Sequence, residues 1–200
     1  MIREKIVHTA YNLFIQYGVK SVSMDEIAKS AGISKRTLYE SFEDKESLLA
    51  EGIEQYSLRL KQTLAQIEKG AYNALEIILL FYEEIMKQPN WHNEKFYDDL
   101  KKYPNVQERI ESHRKRGGEK CMALLTQGVK EGVFEKDVNL SLTTTLIREL
   151  MKMVQPSHAF NEYSTIEVYS MILLTFLRGI STEKGRLIID RFDLKRSYQS

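Results

Sequence analysis

Proline and cysteine are scarce in this chain. Its 200 residues include three Pro and one Cys. A lone thiol, Cys121, excludes an intramolecular disulfide framework and suits a reducing compartment. With three prolines and only ten glycines, long stretches are free to be helical. No apolar run approaches the roughly 18 residues that span a bilayer, so no membrane partner is expected. The opening MIREKIVHTAYNLF carries acids and bases and no small-residue cleavage site; it is not read as a signal peptide, and the expected location is cytoplasmic. Charge of one sign is also lacking: 29 Lys and Arg against 28 Asp and Glu leave a net charge of +1. A polyanionic partner must therefore be met by a local patch rather than by the overall field. His8, His92, His113 and His158 are scattered, with no Cys or acid at metal-ligand spacing. No nucleophile–base pair and no glycine-spaced phosphate loop is recognisable. No cofactor is expected, and an enzyme is disfavoured.

What is present is amphipathic helix almost throughout. Hydrophobic residues make up 42% and charged residues 28%, the balance of a globular chain. Ile6, Ala10, Leu13, Phe14 and Tyr17 share one face of a first helix, Ile2 to Tyr17, stopped by Gly18. Ser23 and Glu26 form a capping box that opens a second helix at Met24, and Gly32 ends it after two turns. Ser34 caps a third helix, Lys35 to Ser41, and Asp44 caps a fourth that runs past Leu60. Further helices are expected over 74–86, 94–102, 106–130, 139–154 (capped by Asn139), 164–178 (opened by a Ser164–Glu167 capping box) and 182–192. No strand alternation and no repeat is visible. The fold class is all-α: an N-terminal three-helix helix-turn-helix domain over residues 1–50, then a helical bundle over 51–200.

The second and third helices, joined through Gly32, make the helix-turn-helix, with small or apolar packing positions at Ala28, Ala31, Ile33 and Leu38. From Lys29 to Tyr39 there are three cations (Lys29, Lys35, Arg36) and no acid, whereas acids crowd residues 40–54. A helix fits the major groove, and its first turn reaches base edges. Lys35, Arg36 and Thr37 occupy that turn. Arg and Lys suit guanine, and the Thr methyl suits thymine. The helix starts after Ser23 and Asp44 offer free N–H groups to phosphates, with Lys45 at the second of them. The Tyr39 ring can pack while its hydroxyl reaches outward. From spacing alone, a DNA-reading helix and a merely solvated basic face fit equally well.

The combined pattern MDEIAKSAGISKRTLYESFEDKESLL resembles the DNA-binding domain of the TetR family of transcriptional regulators. The carrying features are Ile27-Ala28, Ala31-Gly32-Ile33-Ser34, Thr37-Leu38-Tyr39, Phe42 and Lys45-Glu46-Ser47-Leu48. The resemblance implies a recognition helix over 34–40, starting at Ser34, with Lys35, Arg36 and Thr37 facing bases. It implies phosphate contacts from Tyr39, Lys45 and the helix start at Ser23. Such regulators often carry His or Tyr where this chain has Glu40 and Ser41. An acid there repels phosphate unless it selects cytosine or faces away. Looser likenesses continue in LLTQGVKEGVFEKDVNLSL (124–142) and FLRGISTEKG (176–185).

The resemblance further implies that the C-terminal domain forms a homodimer and holds a small-molecule effector. The expected dimer residues are Leu142, Leu146 and Leu150 on one late helix, and Val168, Ile172 and Phe176 on the next. Large adaptable side chains that suit an apolar pocket are Tyr82, Met86, Trp91, Phe96, Met122 and Met151. The same side chains fill ordinary helical cores. The resulting expectation is a ligand-responsive repressor that binds double-stranded DNA as a homodimer on a palindromic operator. An architectural DNA-binding factor on the same fold stands as the alternative.

Overall fold

The computed structural model describes residues 2–87, 93–154 and 162–192, without the side chains of 151–154 and 165. Among these residues there are ten helices and no strand. They are α1 (Ile2–Tyr17), α2 (Met24–Ala31), α3 (Lys35–Ser41), α4 (Lys45–Gly70), α5 (Ala74–Met86), α6 (Glu94–Leu100), α7 (Pro104–Lys130), α8 (Leu140–Val154), α9 (Thr165–Ile180) and α10 (Glu183–Arg191). The all-α expectation holds. The start of α7 differs from the expected 106 and lies at Pro104. Proline has no N–H to lose in a first turn and its φ is already helical, so it opens the helix instead of only preceding it. Among the described residues no helix is long and apolar enough to cross a membrane.

The chain packs as two compact units, Met1–Lys61 with Asn90–Arg114, and Gln62–Pro89 with Lys115–Ser200. In the first unit, α1 buries Ile6, Val7, Ala10, Tyr11 and Phe14, a stripe at helical spacing. Against it lie Ile27 and Ala28 of α2, Leu38 of α3, and Leu48, Leu49 and Ile53 of α4. The same core takes in Phe96 and Leu100 of α6 and Val106 of α7. Phe96 stands edge-on to Tyr11, with ring centroids 6.1 Å apart at 88°.

Gly32 makes the turn of the helix-turn-helix. Its φ of 66° is left-handed, a conformation that costs a side-chain-bearing residue about 1 kcal/mol or more. In return the Ile33 N–H reaches the Ala28 carbonyl at 3.0 Å, closing the end of α2. Ala28 and Ala31 are buried, so α2 and α3 meet through small side chains.

In the second unit, α5 buries Ala74, Leu75, Ile77, Leu79, Tyr82 and Met86. α9 packs on α8 and α10, and α10 on α5. The two loosely matched stretches of sequence come together here. Phe134 and Ser181 form an isolated antiparallel bridge, Thr182 N–H donates to Val133 O at 3.1 Å, and Thr182 Oγ1 donates to Gly132 O at 2.8 Å. Gly128 is the contact that lets Phe134 in: a Cβ built there would sit 2.3 Å from the ring.

Candidate nucleic-acid interface

The third helix is short, and its burial is one-sided. Leu38 is fully buried while Lys35, Arg36, Tyr39 and Glu40 are exposed and Thr37 is half-buried. A single inward residue in about two turns is the pattern of a helix pinned on its core and open to solvent along its outer face. Ser34 fixes its start. Its Oγ accepts the Thr37 N–H at 3.1 Å and lies 2.9 Å from the Thr37 hydroxyl. That hydroxyl is thereby engaged with the cap, and the methyl is the group Thr37 has left to offer.

Both cations in the first turn already have carboxylate partners. Lys35 forms an ion pair with Asp25 on α2. Arg36 Nε donates to Glu40 Oε1 at 2.8 Å, an i,i+4 pair along the helix. Tyr39 is 52% exposed, with its ring on the same open side as Arg36 and Glu40 by helical spacing.

The two neighbouring helix starts are also occupied from within. At α2, the Ser23 N–H and Oγ each donate to Glu26 Oε2 at 2.7 Å, and Ser23 Oγ accepts the Glu26 N–H at 3.2 Å. The backbone and then the side-chain hydrogen bond of Ser23 hold the Glu26 carboxyl below its usual range. At α4, Asp44 accepts the Ser47 N–H at 2.7 Å, and that bond holds its carboxyl low as well. Lys45 Nζ donates to the Val19 carbonyl at 3.0 Å, so its ammonium bridges the start of α4 to the α1–α2 connection. Asp25 and Glu40 were not singled out as partners by sequence reasoning. The i,i+4 spacing of Arg36 and Glu40 was a readable signal, whereas Asp25 and Lys35 meet only through the fold.

The residues expected to hold an effector fall in different places. Tyr82 and Met86 are buried in the second unit, and Met122 is half-buried there. The Tyr82 hydroxyl lies 2.5 Å from Ser170 Oγ, which itself donates to Ile166 O; Tyr82 is therefore the donor of the pair. Phe96 sits in the core of the first unit. Trp91 lies outside the described residues, as does the side chain of Met151. An open groove of about 610 Å³ between the beginnings of α4 and α7, walled by Asp44, Glu46, Asn105, Glu108 and Arg109 among others, contains none of these residues. Among the described residues no group of His, Cys, Asp and Glu is placed to hold a metal ion. Burial raises the Cys121 thiol above its usual range, which disfavours the reactive thiolate.

Of the expected dimer residues, Leu142 and Leu146 are 54% and 44% exposed. Leu150, Ile172 and Phe176 are half-buried, and Val168 is buried within its own unit. Met171, which sequence reasoning passed over, is the most exposed apolar side chain of α9 at 69%.

Comparison with known proteins agrees with this geometry. Residues 6–51 match the family described as bacterial regulatory proteins, tetR family. The HTH-type transcriptional repressor KstR2 of Mycolicibacterium smegmatis is 26% identical over 192 residues, 92% of each chain. The HTH-type transcriptional regulator AcrR of Shigella flexneri is 45% identical over 49 residues, 24% of this chain and 23% of that one. Among solved structures, a transcriptional regulator of Saccharomonospora viridis in complex with choline superposes with a TM-score of 0.76 at 17% identity, over 90% of this chain and 98% of that one.

Proposed function

We propose that this chain, whose residues 6–51 match the tetR family of bacterial regulatory proteins, is a repressor that binds double-stranded DNA as a homodimer on a palindromic operator and lets go when a small-molecule effector binds. One observation carries the DNA-binding reading. A capped helix of seven residues turns one apolar side chain inward and presents Lys35, Arg36 and Tyr39 outward. That is the form of a helix that enters a major groove. In this reading Lys35, Arg36 and Thr37 reach base edges. Tyr39 and Lys45 contact phosphates, as does the helix start at Ser23, and Ser34 caps the reading helix. The full-length likeness to a repressor favours repression over activation.

The homodimer is supported by apolar exposure. Leu142 and Leu146 on α8 and Met171 on α9 are open to solvent, and α8 packs on α9. A two-fold interface there, completed by Leu150, Ile172 and Phe176, would cover them. Val168 supports that pair of helices from inside. In this reading the effector is held in the second unit, around Tyr82, Met86 and Met122; the expected Trp91 and the Met151 side chain lie outside the described residues. Phe96 belongs to the scaffold of the DNA-reading unit in this reading. An effector acts by preferring the conformation in which the two recognition helices no longer match the operator.

Selection of bound duplexes from a library with a randomised core tests the proposal. The expected product is an inverted repeat with half-sites about one helical turn, 34 Å, apart or a multiple of it. Enrichment of nothing, both alone and with cell extract added, would remove the operator-binding reading.

A further inference from the structure

Glu40 poses an electrostatic problem. It lies one helical turn after Arg36 on the outer face of α3, with its side chain 60% exposed. If that face meets a polyanion, an unpaired carboxylate there works against binding. The structure gives it an occupation: Oε1 accepts the Nε–H of Arg36 at 2.8 Å.

The choice of nitrogen matters. A guanidinium has five N–H donors in a rigid plane, one on Nε and two on each terminal nitrogen. With Nε–H directed at Glu40, the end of the fork formed by the two terminal nitrogens remains open. That end supplies two parallel N–H groups, which match the O6 and N7 acceptors of guanine. The Arg36 side chain is otherwise 89% exposed, so little else restrains its rotamers. An exposed i,i+4 ion pair is weak in water, but it strengthens as water is expelled from an interface. The carboxylate also disfavours any phosphate that would otherwise draw Arg36 aside.

We infer that Glu40 is a specificity-positioning residue: it holds Arg36 through Nε so that the terminal edge of the guanidinium reads a guanine, and its charge keeps the same arginine from settling on phosphates. This rests on the reading of α3 as the recognition helix. Asp25 does not duplicate the role. It pairs with Lys35 from another helix, and an ammonium is a point donor with no edge to orient.

The test uses the full chain and the duplex recovered from a randomised library, with each G·C pair of the half-site replaced in turn. Dissociation constants are measured for wild type, Glu40→Ala, Glu40→Gln, Arg36→Ala and the Arg36→Ala/Glu40→Ala double variant, on the selected and on a scrambled duplex. All positions are exposed, and helical content by circular dichroism checks that each variant is folded. Arg36→Ala should lose about fivefold to 150-fold discrimination at one guanine. Glu40→Ala should lose about threefold or more at that same guanine, while binding the scrambled duplex more tightly and with a salt slope steeper by about one. Glu40→Gln, whose amide oxygen still accepts from Nε, should keep most of the discrimination. In the Arg36→Ala background, removing Glu40 should leave base preference unchanged. Equal effects of Glu40→Ala on base preference with and without Arg36 would overturn the proposal while leaving the recognition helix in place, as would a gain in guanine preference. If Arg36→Ala itself leaves base preference unaltered, the reading of α3 falls, and this inference falls with it.

Discussion

Arg36 and Lys45 are cations of neighbouring helices with different surroundings, and they should fail differently. Arg36 is paired only within its own helix; Arg36→Ala should relax base preference at one position, at a cost of about 1–3 kcal/mol if the contact is bidentate. Lys45 is half-buried and bonded to the Val19 carbonyl. Lys45→Ala should weaken all duplexes alike and flatten the logarithmic salt slope by about one. It should also lower the melting temperature, because Val19 O loses its donor; Arg36→Ala should leave melting unchanged. Parallel titrations and thermal melts separate the two. The tyrosines of the first unit make a second residue-scale prediction. Burial, and after it the neighbouring Tyr56, pushes the Tyr97 hydroxyl from 10.0 up to about 12, and burial raises Tyr11 well above its usual value. A folded pKa above the unfolded one gives stability that is complete below pH 10 and lost as pH rises through about 12. Tyrosinate absorbance should therefore develop in two stages, the later one coinciding with loss of helical signal. A single early stage that includes these residues would contradict their burial.

At the scale of the element, local signals carried the reading and distant contacts escaped it. The capping boxes of α2 and α9 and the Asp44 and Asn139 caps are each written within four residues of sequence, and each is formed. The caps at Asn73 and Asn93 are equally local, but adjoin stretches with weaker helical punctuation. Nothing in the sequence says that Phe96, more than 40 residues past the helix-turn-helix, completes its core beside Tyr11. Periodicity marks which face of a helix is buried and is silent on the partner it is buried against. The third helix was legible because its cap, turn glycine and cations lie close together; Asp25 at Lys35 was not, because two helices must cross first. Two expectations follow from the elements. Ser23→Ala removes one side of the α2 capping box and should destabilise the first unit by about 1 kcal/mol. Glycines of α7 should respond with opposite signs. Gly117 has nothing within 4 Å of an added Cβ, so Gly117→Ala should stabilise by up to about 1 kcal/mol. At Gly128 the added carbon meets the Phe134 ring, and Gly128→Ala should destabilise by about 1–3 kcal/mol. Urea melts of both variants decide the matter.

For the whole molecule, the proposed dimer makes DNA affinity depend on a surface remote in sequence from the DNA-reading helix. Leu146→Glu places a charge among exposed apolar side chains of α8 and should yield a folded monomer by sedimentation. Its affinity for the full inverted repeat should fall to that for a single half-site. A dimer that survives this change would move the interface elsewhere. The acids beside the proposed DNA-reading residues bear on a different property, behaviour in time. Lys35 rests on Asp25, Arg36 on Glu40, and the Ser23 end of α2 on Glu26. On the proposed reading, stray DNA would meet a face on which Lys35 and Arg36 are already matched by acids, and long-range attraction to those two side chains would be weak. Each wrong landing would then be brief. A regulator built in this way would search a chromosome by many short visits, and would linger only where base edges offer its side chains better company than their own neighbours do.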